Sequence, residues 1–329
     1  VTGEPHAGFY ALRPDTVLDA VESVGMRCDG RLLALNSYEN RVYQVGLEET
    51  GFIVVKFYRP QRWSDQQILE EHEFSRQLEA ADIPVVAPLR DQTGRSLHGH
   101  LEYRFAVYPR RGGHAPELDS ESNLRWLGRQ LGRLHAIGGV RGFEHRPALS
   151  SESMGECSRE YLLHEGWIPD HIAAAWESVS RDLLNRVDAA FAGVNGYTQL
   201  RLHGDCHPGN ILWTDAGPHF VDFDDSRSGP AIQDLWMLLS GDRDDRTRQL
   251  TLVLEGYQQF CDFDPRELGL LEALRSLRLI SFSAWVARRW QDPAFPTAFP
   301  WFGNTRYWEE QVLTFREQLA AMDEPPLYV

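Results

Sequence analysis

The chain has 329 residues, 48 of them acidic against 33 basic, for a formal charge of −15. So acidic a surface repels nucleic-acid phosphates and argues against DNA or RNA as a partner, and a polyanionic ligand would need local help from a lysine, a metal ion or backbone amides. At 42% hydrophobic and 25% charged the composition is that of an ordinary globular protein with a sizeable core, which excludes long disordered stretches.

Residues 14–25 (PDTVLDAVESVG) read as a short helix, with Pro14 near its start and Gly25 closing it. The runs RLLALNS, NRVYQVG and GFIVVKFY follow, rich in β-branched and aromatic residues and punctuated by Gly46 and Gly51, so strands joined by tight turns are expected. In SDQQILEEHEFSRQLEAAD, Ser64 with Gln67 three residues on is a capping-box signal, and Ile68, Phe74 and Leu78 make a helical stripe. IPVVAPL and HLEYRFAVYP are expected as two further strands. Near Gly112-Gly113 the character changes, and from Ser120 onward the pattern is mainly helical, interrupted by one β-rich island over 198–224. The plan is α+β, with a β-rich lobe over 1–108 and a larger, mainly helical lobe over 109–329, and not an alternating βαβ series.

Cys28, Cys157, Cys206 and Cys261 are widely separated, as suits reduced thiols better than a disulfide framework or a zinc knuckle. The N-terminal run VTGEPHAGFYALRP lacks the basic-then-apolar layout of a signal peptide, and no stretch reaches the ~18 apolar residues of a membrane span. A soluble, cytoplasmic protein without a membrane partner is expected.

The densest chemical signal is HGDCHPGN at 203–210, followed by FVDFD at 220–224. Asp205 with Asn210 five residues on has the Asp-x-x-x-x-Asn spacing of a kinase catalytic loop. In such a loop the Asp orients the attacking hydroxyl and takes its proton, and the Asn carbonyl oxygen is a hard ligand for Mg²⁺. Asp222, at the end of an apolar strand and before Phe223, stands where the main metal-binding aspartate would. Asp and Asn in a Gly/Pro turn are commonly only turn formers; the strand–turn–strand context and the second Asp favour phosphoryl transfer from ATP with Mg²⁺. Lys56 lies inside FIVVKFY, where a lysine ordinarily faces solvent; its functional counterpart is the strand lysine that reaches the α/β-phosphates, with Glu71 on the next helix as the carboxylate that aims it. Glu70 and Glu73 are expected on a solvated helical face. No Gly-rich phosphate loop is present; NSYENR joins the strands instead, and Ser37 either contacts phosphate or belongs to a plain polar turn. His203 is expected to brace the catalytic loop, His207 to bond locally, Cys206 to pack, and Asp234 to anchor the loop from the start of a helix.

These motifs resemble a known group. HGDCHPGN with VDFDD is similar to the aminoglycoside phosphotransferase and choline kinase superfamily, and more narrowly the chain resembles the bacterial stress response kinase A family. LNSYENRVYQ, VVKFYRPQRW, ILEEHEF, LRLHGDCHPGNILW, PAIQDLWMLL, ARRWQDPAFP and FPW carry the resemblance across residues 35–301. It implies a two-lobed, protein-kinase-like fold and a soluble, monomeric, Mg-ATP-dependent serine/threonine kinase tied to envelope or oxidative stress. It also implies Ser37 as an ATP contact, Asp205 as the catalytic aspartate, and Asn210 and Asp222 as magnesium ligands. Lys56 and Glu71 carry over from the wider fold, and Tyr108, Pro109 and Arg110 would form the hinge whose backbone reads adenine. The acceptor is a protein hydroxyl by that resemblance, whereas the short segment between Asp222 and Pro230 and the helical insertion over 150–195 also suit an antibiotic, choline or homoserine. A metal-dependent phosphoesterase and a non-catalytic ATP-binding protein are the remaining alternatives.

Overall fold

The computed structural model describes residues 8–329 except 10, 11, 50 and 195. Residues 1–7, on which part of the reading of the N-terminal run rests, lie outside the described residues. In chain order the elements are α1 (Pro14–Ser23), β1 (Cys28–Ala34), β2 (Arg41–Leu47), β3 (Gly51–Phe57), α2 (Asp65–Ala80), β4 (His98–His100), β5 (Tyr103–Pro109), α3 (Glu121–Gly138), α4 (Cys157–His164), α5 (Asp170–Gly193), β6 (Leu200–Leu202), β7 (Ile211–Thr214), β8 (Gly217–Phe220), β9 (Arg227–Gly229), α6 (Ile232–Trp236), α7 (Arg243–Tyr257), α8 (Leu271–Arg288), α9 (Ala294–Ala298) and α10 (Thr305–Asp323).

They form two compact units, each discontinuous in sequence. Of the described residues, the first takes those within 1–117, 143–146 and 205–226, and the second those within 118–142, 147–204 and 227–329. The first unit is built on a five-stranded antiparallel sheet of order β1-β2-β3-β5-β4. Because side chains alternate along a strand, β3 sends Val55 and Phe57 to one face, where they pack with Val17, Ala20 and Val21 of α1. Lys56 points to the other face, and beyond the strand end Tyr58 packs with Ile68 of α2 and Ala106 of β5. Both faces are covered, so the strand lysine is buried. The capping box forms as expected: Gln67 N donates to Ser64 Oγ at 3.2 Å and Ser64 N to Gln67 Oε1 at 2.8 Å.

Two expected strands come out differently. Residues 83–89 make a single bridge between Val85 and Phe220, because Pro84 and Pro88 remove the amides a continuous ladder needs. The run 100–109 begins at the last residue of β4 and turns, with Leu101 at a left-handed φ of 51°, into β5, so that β4 and β5 make a tight hairpin over 98–109. In the second unit α3 lies backbone to backbone against α7: a Cβ on Gly132 would sit 2.4 Å from the carbonyl oxygen of Tyr257, so only glycine permits that approach. Helix α7 ends at Tyr257 and α8 begins at Leu271, separated by a short turn that Pro265 opens. No described helix is long and apolar enough to cross a membrane.

Candidate active site

All of the residues singled out for catalysis and metal binding fall in the first unit, linked by a continuous series of contacts. Asn210 Nδ2 donates to the carbonyl oxygen of Asp205 at 2.9 Å and approaches its carboxylate at 3.4 Å. Val221 N donates to the carbonyl of Asn210 at 3.0 Å, so Asn210 and Asp222 are carried by one short hairpin, β7–β8. Asp222 Oδ1 then accepts from Lys56 Nζ at 2.7 Å. Asp222 is itself held in the left-handed region, φ 62° and ψ 67°, a conformation that costs a non-glycine residue about 1–2 kcal/mol. Such strain persists where a side chain must be aimed. Its carboxylate is half exposed whereas Lys56 is 7% exposed.

The lysine's partners differ from the expected one. Lys56 Nζ lies 2.7 Å from Asp222 and 3.3 Å from Asp224, and those two carboxylates are its ion pairs. Burial alone would lower the ammonium pKa, but Asp222 and Asp224 outweigh it and hold Lys56 charged well above its ordinary range. Glu71 is buried close by without an ion pair to it: its Oε2 lies 3.8 Å from Nε2 of His72, which is neutral, and has no hydrogen-bond partner. Burial pushes the Glu71 pKa up to about 7, with Lys56 and Arg146 only partly offsetting it. The physical reason is reach, since the two aspartates arrive on the hairpin end directly at the ammonium.

Asp224, Asn40, Arg62 and Arg146 were not legible as site residues. Asp224 is 3% exposed. Its Oδ2 accepts from Asn40 Nδ2 at 3.1 Å and pairs with Arg62, and Arg62 also reaches Asp225 at 2.8 Å. Burial would raise the Asp224 pKa, but Lys56, Arg62 and Arg146 hold it well below the usual carboxylate range. Arg146 Nη1 donates to the carbonyl of Asp224 at 2.7 Å. The segment carrying Arg146 is fixed by Glu70, whose carboxylate accepts the amides of Glu144, His145 and Arg146 at 2.5–2.9 Å. Glu70 is therefore a structural acceptor and not part of a solvated face, because three successive amides aim at it. The acidic doublet Asp224-Asp225 just after Asp222 was the available signal.

The 36–41 loop is pinned by its own carbonyls. Ser37 Oγ donates to Asn40 O at 3.1 Å, while Arg59 donates to the carbonyls of Glu39 and Tyr38 at 2.8 and 3.1 Å. Tyr108 turns its side chain inward, its hydroxyl 2.9 Å from that of Tyr58, which in turn lies 2.7 Å from His72 Nε2. Arg110 is exposed and donates to Gln44 Oε1 at 3.2 Å. His207 accepts from Gly209 N at 3.0 Å and stands 3.5 Å from Asp205, and Cys206 is fully buried, as local packing predicted. In the second unit the buried carboxylate of Asp234 accepts the amides of His203 and Gly204, each at 2.8 Å, and pairs with His135 at 3.0 Å. It anchors the residues immediately before Asp205, with Gly204 supplying the positive φ of 86°.

For a divalent cation the donor set is compatible. With Nδ2 of Asn210 committed to Asp205, its Oδ1 is the side-chain atom that could ligate, and the half-exposed Asp222 carboxylate could supply a second hard oxygen. Among the described residues no group of three or more His, Cys, Asp and Glu side chains is gathered as a complete cage. A small hard ion held by one carboxylate and one amide oxygen takes its remaining ligands from water and substrate phosphates.

A buried strand lysine, an Asp-x-x-x-x-Asn loop and a strained aspartate at a hairpin end define a kinase-like phosphotransferase of α+β architecture. The chain belongs to the phosphotransferase enzyme family, whose model matches residues 31–271. It is 47% identical over 319 residues to stress response kinase A of Escherichia coli O157:H7, covering 97% of this chain and 96% of that one. It is 46% identical over 319 residues to the serine/threonine protein kinase RdoA of Salmonella typhimurium, with 97% and 96% covered. Among solved structures it is similar in fold to the amicoumacin kinase hAmiN, with a TM-score of 0.72 at 18% identity over 95% of this chain and 94% of that one. A microcompartment-associated aminopropanol kinase matches with a TM-score of 0.69 at 18% identity, over 93% and 98%.

Proposed function

We propose that this protein is an ATP- and Mg²⁺-dependent serine/threonine protein kinase acting in a bacterial stress response in the cytoplasm, as a monomer. The observation that carries the reading is the linked set Asp205, Asn210, Asp222 and Lys56 within one compact unit. The near-full-length similarity to the serine/threonine protein kinase RdoA supports the acceptor class, and that to stress response kinase A supports the stress-response setting.

Asp205 receives the acceptor hydroxyl and takes its proton as the oxygen attacks the terminal phosphorus. Lys56 steadies the α/β-phosphates, its charge secured by the surrounding carboxylates. Asn210 and Asp222 would hold the magnesium ion, which supplies charge cancellation on the phosphate oxygens. Glu71 adds negative field behind the lysine. Ser37 meets the phosphates once its hydroxyl leaves Asn40 O, and the backbone beside Tyr108 and Arg110 reads the base.

A small-molecule hydroxyl kinase is the second reading, favoured by one observation: only the short segment 223–229, a turn at 223–225, Ser226 and β9, separates Asp222 from Pro230. Incubating the protein with terminally labelled ATP, Mg²⁺, a generic basic protein and an aminoglycoside panel separates the two. Label on serine or threonine of the protein is expected. Label confined to an aminoglycoside would establish the second reading, and no label on any acceptor or on the enzyme itself would refute both.

A further inference from the structure

We propose that Asp224 is a positioning residue for nucleotide: it is the permanent partner that keeps Lys56 and the 36–41 loop in register when Asp222 is engaged elsewhere. The inference rests on the proposed roles of Lys56, Asp222 and that loop in binding ATP.

Asp222 faces two competing duties. In the structure its carboxylate is the closest partner of Lys56, at 2.7 Å, yet it is also the exposed hard ligand suited to a divalent ion. A carboxylate that turns to a dication loosens its hold on an ammonium, because the two cations repel. A lysine buried to 7% exposure then needs another anion, since an unpaired buried charge is strongly unfavourable. Glu71, the carboxylate the sequence suggested, makes no ion pair with the lysine. Asp224 is poised for that duty. Its Oδ1 is buried, lies 3.3 Å from Lys56 Nζ and makes no hydrogen bond, so it stands ready to accept one as Asp222 departs.

The other oxygen of Asp224 holds the loop. Oδ2 accepts from Asn40 Nδ2, and Asn40 Oδ1 accepts from Arg59 N at 3.0 Å, which ties the loop to the residues just after β3. Arg62 adds a second tie, pairing with Asp224 and lying 3.7 Å from Glu39. One buried carboxylate thus divides its two oxygens between the phosphate-binding lysine and the loop expected to cover the phosphates. Asp225 is placed differently: its carboxylate is 32% exposed and pairs with Arg62 at 2.8 Å.

The test is a double-mutant cycle on the full chain with Asp224→Asn, Lys56→Met and the pair, following ATP affinity and steady-state kinetics with Mg²⁺. Asp224→Asn should raise the KM and Kd for ATP at least tenfold while lowering kcat much less. In the Lys56→Met background the same change should add less than threefold, because the lysine it acts through is gone. Full additivity, or a lowered melting temperature with unchanged ATP affinity in the folded protein, would reduce Asp224 to a structural residue and overturn the proposal. Should Asp224→Asn fail to fold, Asn40→Ala severs the loop side of the bridge; it should weaken ATP binding severalfold, and wild-type affinity there would count against the bridge. Wild-type protein that binds no ATP would instead refute the kinase reading on which this rests.

Discussion

Replacing Glu71 by glutamine should stabilise the protein at alkaline pH and leave it nearly unchanged in acid. The side chain is 2% exposed on α2, and its Oε2 has no hydrogen-bond partner. Burial raises its pKa from 4.5 to about 7. Between those values the folded protein holds a proton that the unfolded chain has released, so stability falls as pH climbs through that window, and the penalty is complete above about 7. Each unit of difference is worth ~1.4 kcal/mol, which puts the full penalty at roughly 3–4 kcal/mol as a ceiling. Glutamine resembles the protonated acid at every pH, so the gain from Glu71→Gln should be small at pH 4.5 and grow to roughly 2–3 kcal/mol by pH 8. The neighbouring His72 works in the opposite sense: burial, then Lys56 and Arg146, lower its pKa from 6.5 to about 3, so its contribution is lost as pH falls below 6.5. Both proteins share that loss, and it cancels in the difference. Urea denaturation followed by tryptophan fluorescence, run in parallel from pH 4.5 to 8, measures the gap. A difference independent of pH, or a less stable variant at pH 8, would refute the argument.

Asp222→Ala should abolish the Mg²⁺-dependent part of nucleotide affinity, with a titration of ATP binding in magnesium and in chelator as the check; curves identical to wild type would contradict its role. Asp234→Ala removes one buried carboxylate that satisfies two amides and His135. Leaving such donors unpaired costs about 1–3 kcal/mol each, so a loss of at least 3 kcal/mol in denaturant is expected, and a loss under 1 kcal/mol would contradict the anchoring role. Lys56→Met should raise the KM for ATP by at least a hundredfold with the fold intact by circular dichroism. An unaltered KM would remove the lysine from the nucleotide site.

Much of the site was readable because its key residues obey short-range rules. The five-residue step from Asp205 to Asn210 and the strand-end position of Asp222 are set by one hairpin, and the Ser64–Gln67 cap by one helical turn. What failed depended on where distant segments meet. Lys56 looked like an alternating strand residue, and nothing local announces that α2 covers its face. Glu71 has the right place in sequence to pair with Lys56, yet the hairpin end delivers Asp222 and Asp224 to the ammonium first. The 83–89 run has strand composition, but its two prolines outvote it. Glu70 looked solvated because the amides it binds come from residues 144–146, more than seventy positions away. That residues 205–226 pack with the N-terminal unit is likewise a tertiary fact with no marker in composition.

The most direct measurement is transfer from terminally labelled ATP by wild type and Asp205→Ala side by side, with Mg²⁺ present and the labelled residue identified by acid hydrolysis. Label on serine or threonine from the wild type, and transfer reduced at least a thousandfold in a folded variant that still binds ATP, is the predicted result. Equal transfer by the two proteins would contradict the assignment of Asp205 and with it the chemistry built around it.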